Sequence, residues 1–98
     1  MNSKKDIELL CFKFEKKLSH TPNAIIRVEM IIDYCRNNYS SIKNILHLVN
    51  KGIQLSEEEG YNKGVAALKI YKAFDLWYTN KHKEAVGIIN QYNHQLLA

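Results

Sequence analysis

Four histidines, two cysteines and one acidic run are the side chains in this sequence best suited to hold a metal or attack a substrate. His20, His47, His82 and His94 show no HExxH spacing, no paired carboxylates and no Cys-His pattern, so the sequence offers no metal ligand set. They read as solvated surface residues. Cys11 and Cys35 stand apart, without CxxC spacing or nearby histidines, each on the apolar side of a helical stripe. Buried, reduced thiols are expected there. No Ser, Cys or Lys lies in a nucleophile motif, and Gly60 and Gly64 precede no Lys-Ser or Lys-Thr pair of a phosphate loop. The run Glu57-Glu58-Glu59 reads as a solvated helix end. With no catalytic, cofactor or metal constellation, the chain is not expected to be an enzyme.

Charge argues about partners. Fourteen Lys and Arg against ten acids leave a net charge of +4, and no basic run exceeds two residues. Lys4, Lys5, Lys13, Lys16 and Lys17 gather on the first helix, but the second mixes Arg27 with Glu29 and Asp33. A continuous basic face, which nucleic-acid binding needs, is missing. A pI of about 9.1 still permits a small helical nucleic-acid-binding or transcription-regulatory protein as the alternative function.

The elements that must position any site are helical. At 98 residues, 46% hydrophobic and 24% charged, the chain is one domain over residues 1–98 with enough apolar surface for a core. A single proline, Pro22, and four glycines leave long uninterrupted windows that favour helices over strands and turns. The segment Met1 to Asp6 leads into an amphipathic, charged stretch, unlike a signal peptide or an apolar span, so a cytoplasmic protein without membrane contact is expected.

Ile7, Leu10, Cys11, Phe14 and Leu18 mark a first helix within residues 1–20, capped by Ser3. Thr21-Pro22 predicts a capping hydroxyl and a first-turn proline for a second helix, residues 22–37, burying Ile25, Val28, Ile31, Ile32 and Cys35. After the break Asn37 to Ser41, whose serines are placed to cap, Ile42, Ile45, Leu46, Val49 and Ile53 mark a third helix ending near Glu58. Gly60 to Gly64 is the clearest junction, although Ser56-Glu57-Glu58-Glu59 reads equally as a capping box starting helix four early. Helix four, residues 61–79, has an apolar arc centred on Ala66, Ile70, Ala73 and Trp77, flanked by Val65 and Leu76 on one side and Phe74, Tyr78 and Tyr71 on the other. Such an arc expects neighbours on two sides. Asn80 ends it, and helix five carries Ala85, Ile88, Ile89, Tyr92 and Leu96 inward.

Ile45, Leu48 and Val49 align with Ala85, Ile88 and Ile89 at an offset of about 40 residues. The expected fold is all-α: five antiparallel helices, an N-terminal helix followed by two hairpins, residues 22–58 and 61–97. The stretch Gln54 to Ala66, followed by Asn80-Lys81-His82-Lys83-Glu84-Ala85-Val86, resembles the tetratricopeptide (TPR) repeat variant with a period of about 40 residues. Arg27 to Tyr39 is similar to the first A helix of the TPR arrays that form N-terminal regulatory regions of bacterial diguanylate cyclases, histidine kinases and nucleotide cyclases. Lys69 and Lys72 depart from the apolar residues of that pattern, and Tyr92 stands where the first repeat has Gly52.

The resemblance implies an α-α superhelix that binds a protein or peptide partner, as a regulatory part of a signalling protein. It places the groove on helix four, along Ala67, Ile70, Tyr71, Phe74, Trp77 and Tyr78, of which Tyr71, Phe74, Trp77 and Tyr78 are the candidate contact residues. The competing reading packs them, Ile70 and Phe74 first, against helix two. Two hairpins fall short of the roughly three repeats a stable array needs. The chain therefore reads as a fragment or as a homodimer through helices four and five.

Overall fold

In a computed structural model of the protein, the structure describes residues 4–97, with side chains described for residues 5–92. The fold is all-α: helices α1 (Lys4–Ser19), α2 (Ala24–Asn37), α3 (Leu46–Glu58), α4 (Asn62–Tyr78) and α5 (His82–Leu97), with a 3-10 segment, Tyr39–Ile45, between α2 and α3. No strand occurs among the described residues. The predicted cap Ser3 lies outside the described residues, and the inward position assigned to Leu96 outside the described side chains.

The helix ends show which local signals prevailed. Thr21 does not cap α2. Its hydroxyl donates to the Lys17 carbonyl at 3.1 Å and its amide to that of Leu18, so it closes α1, where carbonyls are left over. Asn23 caps α2 instead, its side-chain oxygen accepting from the Ile26 amide at 3.0 Å, and Pro22 therefore precedes the helix. Ser40 and Ser41 cap nothing. After Asn38 the chain enters 3-10 turns that are kinked at Ser41, with φ −111° and ψ 24°, and the segment buries both Ile42 and Ile45.

Gly60 settles the uncertain junction. At φ 65° it occupies the left-handed position after α3, where its amide donates to Glu57 and that of Tyr61 to Ser56. This is the paired 5→2 and 6→1 arrangement of a Schellman motif, so residues 56–59 end α3 rather than start α4. Asn80, also at φ 65°, repeats it after α4, with Asn80 donating to Trp77 and Lys81 to Leu76. Short connections make α3 and α4, and then α4 and α5, antiparallel neighbours.

The core lies between α2, the 3-10 segment and α3, with Val28, Ile31, Cys35, Ile45, Leu48 and Val49 fully enclosed. Cys11 and Leu18 anchor α1 to it, and Phe14 stacks on Tyr34 at 4.2 Å. Leu10 and Ile25, expected inward, are nearly half exposed, because α1 and α2 turn narrower stripes to the core. Helix α4 packs against α2, α3 and the 3-10 segment on one side and against α5 on another, so its wide arc does have two neighbours. The contact with α3 runs through small residues. A Cβ on Gly52 would stand 2.5 Å from Leu68 Cδ1, and one on Gly64 would strike Ser56, Tyr61 and Val28. Ser56 is buried there, its hydroxyl donating to the Gly52 carbonyl at 2.7 Å.

Both cysteines are free and buried, as their stripes suggest. Burial pushes the Cys35 thiol up from its ordinary 9.0 to about 12. The folded state thus favours the protonated thiol. That contribution to stability is complete below the unfolded value and is lost as pH rises through 9 towards 12, at roughly 1.4 kcal/mol per pH unit. Urea midpoints measured across this range should fall more steeply for the wild type than for Cys35→Ala. Equal slopes would contradict the assignment.

Candidate interaction groove

The aromatic residues singled out on α4 are held in place from two directions. Phe74 is half-buried. Tyr71 meets it edge-on, with centroids 5.6 Å apart and planes at 78°, and Tyr39 of the 3-10 segment approaches its ring at 6.5 Å. Trp77 lies at the C-terminal end of the helix with His82 tilted over it at 4.2 Å. The His82 Nε2 is also 3.1 Å from the Trp77 carbonyl, in the last turn where carbonyls lack helical partners.

These contacts divide the predicted groove into two hollows. Between α2 and α4, a hollow of about 290 Å³ is lined by Glu29, Ile32, Arg36, Lys63, Ala67, Ile70, Tyr71 and Phe74. Burial raises the Tyr71 phenol most, with Cys35 adding to it and Arg36 opposing it. Tyr71 and Phe74 also pack against the core, as the competing reading held. Between α4 and α5, a more apolar groove of about 380 Å³ is lined by Ala73, Phe74, Trp77, Tyr78 and Ile89. Trp77 is 47% exposed and Tyr78 65%, so these two are displayed to solvent. Phe74 is shared by both hollows, and Tyr71 belongs to the first alone.

Cys11 and Glu15 of α1 are brought together with His47 of α3. Cys11 does have a histidine beside it: His47 Nε2 lies 3.8 Å from its Sγ and 3.1 Å from Glu15 Oε1. His47 sits in the first turn of α3, and its 36-residue separation from Cys11 hides the contact from any local motif. The one legible sign was the Cys11 to Glu15 spacing, which puts both on the same face of α1. Of the other histidines, His20 Nδ1 lies 2.9 Å from the Lys16 carbonyl and His82 is committed to Trp77, while His94 falls outside the described side chains.

No described helix is long and apolar enough to cross a membrane. The chain matches no protein-family model, and neither a curated protein nor a solved structure is significantly similar to it.

Proposed function

We propose that this chain is an interaction module that holds an apolar protein or peptide segment against α4 and α5, as a regulatory part of a bacterial signalling protein. The observation that carries the reading is the α4–α5 groove, where Trp77 and Tyr78 stand exposed beside Phe74 and Ile89. Aromatic side chains bury a large area for little lost rotamer freedom and dominate the energetics of protein contacts. His82 adds to this by fixing the Trp77 ring before a partner arrives.

A second copy of the chain is the first occupant to test, since an exposed apolar patch on a small domain is most simply covered by two-fold pairing. Analytical ultracentrifugation is expected to show a dimer in the micromolar range. Trp77→Ala should shift it towards monomer while the circular dichroism stays helical, because Trp77 lies outside the core. A wild type that remains monomeric at high micromolar concentration would overturn the dimer and leave capture of a different partner. Loss of helicity in the variant would instead make Trp77 a packing residue and remove the basis of the groove.

A further inference from the structure

We propose that Cys11, Glu15 and His47 form a binding site for a divalent metal ion of the zinc class, which ties α1 to the start of α3. One ligand atom from each residue, Sγ, a carboxylate oxygen and an imidazole nitrogen, falls within a cluster no more than 4.8 Å across. A tetrahedral ion with bonds of about 2.3 Å to sulfur and 2.0–2.2 Å to nitrogen and oxygen separates its sulfur and nitrogen ligands by about 3.5 Å, and its nitrogen and oxygen by about 3.3 Å. The observed separations from His47 Nε2 are 3.8 Å to sulfur and 3.1 Å to oxygen. Those two separations need shifts of only a few tenths of an ångström to match.

The ligand set is mixed, and its chemistry selects the ion. Thiolate and imidazole favour zinc, cobalt or copper over magnesium and calcium, which prefer all-oxygen cages. A single imidazole nitrogen faces both neighbours, yet a neutral ring offers there either one proton or one lone pair. A cation placed between the three atoms satisfies the lone pair, the thiolate and the carboxylate together. Cys11 is only 7% exposed, whereas the Glu15 and His47 side chains are about half exposed, at 46% and 54%. The site therefore opens to solvent on one side, which admits the ion and leaves room for water as a fourth ligand.

Such an ion would act on the least secured element. Helix α1 reaches the core mainly through Cys11, Leu18 and the stack of Phe14 on Tyr34. A bond from α1 to α3 would fasten it, and binding to the folded state alone raises stability with ion concentration.

Cobalt(II) is the probe, added to the reduced, metal-free chain under anaerobic conditions and followed by absorption. One equivalent is expected to give a thiolate-to-cobalt charge-transfer band with the visible bands of four-coordinate cobalt, and zinc should abolish both by displacement. Cys11→Ser should remove the charge-transfer band and Cys35→Ala should retain it. His47→Ala and Glu15→Gln alter half-exposed side chains and should keep the helical circular dichroism while binding at least about tenfold more weakly. Zinc should also raise the melting temperature of the wild type, and raise that of His47→Ala less at the same zinc concentration. Absence of the charge-transfer band in the wild type, its persistence in Cys11→Ser, or undiminished affinity in both His47→Ala and Glu15→Gln would overturn the site.

Discussion

Gly64→Ala is expected to destabilise the fold by about 1–3 kcal/mol, whereas Gly87→Ala is expected to stabilise it by up to about 1 kcal/mol. The two glycines are both helical and the substitution is the same, so helix propensity alone predicts a gain at each. Space separates them. A Cβ on Gly87 meets nothing within 4 Å, but one on Gly64 would stand 2.8 Å from both Val28 Cγ1 and Tyr61 Cδ2 and closer still to Ser56 Oγ. Val28 is fully buried, and the Ser56 hydroxyl is already committed to the Gly52 carbonyl. Neither can swing away without opening a void or orphaning a buried hydroxyl. Tyr61 is tethered too, its hydroxyl donating to Glu29, which with burial raises its phenol pKa. Urea denaturation of the two variants should bracket the wild-type midpoint. A Gly64→Ala protein as stable as Gly87→Ala would mean that α4 does not approach α2 and α3 this closely.

The helices and most of their ends were legible because each carries its own signal. Stripes spaced at three and four residues marked the core faces of α2 and α3, and Gly60 and Asn80 marked two of the ends. Capping was less legible, because Thr21, Asn23, Ser40 and Ser41 all carry suitable side chains and only the path of the chain decides between them. The chain wound Ser40 and Ser41 into a 3-10 segment that no periodicity of 3.6 could announce. The candidate groove was half legible. Trp77 and Tyr78 are exposed, whereas Tyr71 faces α2, which depends on how α4 is rotated about its axis. That rotation is the hardest quantity to read from a helix with apolar residues most of the way round. Of the cluster of Cys11, Glu15 and His47 only the shared face of Cys11 and Glu15 on α1 was legible, since the approach of His47 requires α1 and α3 to be packed first.

Leu68 is the clearest case of that hidden rotation, and truncating it should have the largest effect of any change in α4. At about 100° per residue it lies roughly 200° from Ala66, on the side of α4 away from the arc that the periodicity favours. Yet it is fully buried and joins the core of α2 and α3, because α4 is covered on both faces and the face bearing Gly64 and Leu68 meets α3. Leu68→Ala should cost about 2–5 kcal/mol, a large share of the roughly 5–15 kcal/mol that stabilises a small domain. Gly52→Ala alone should cost about 1–3 kcal/mol, since its new methyl group would meet Leu68 Cδ1 and crowd Ile31. Combined, the two changes place a methyl group where the leucine was removed, so their costs should not add. The double variant should be at least about 1 kcal/mol more stable than the sum of the single losses predicts, within the range measured for residues in contact. Strict additivity in urea denaturation would show that Gly52 and Leu68 do not touch, and the close crossing of α3 and α4 would fall with it.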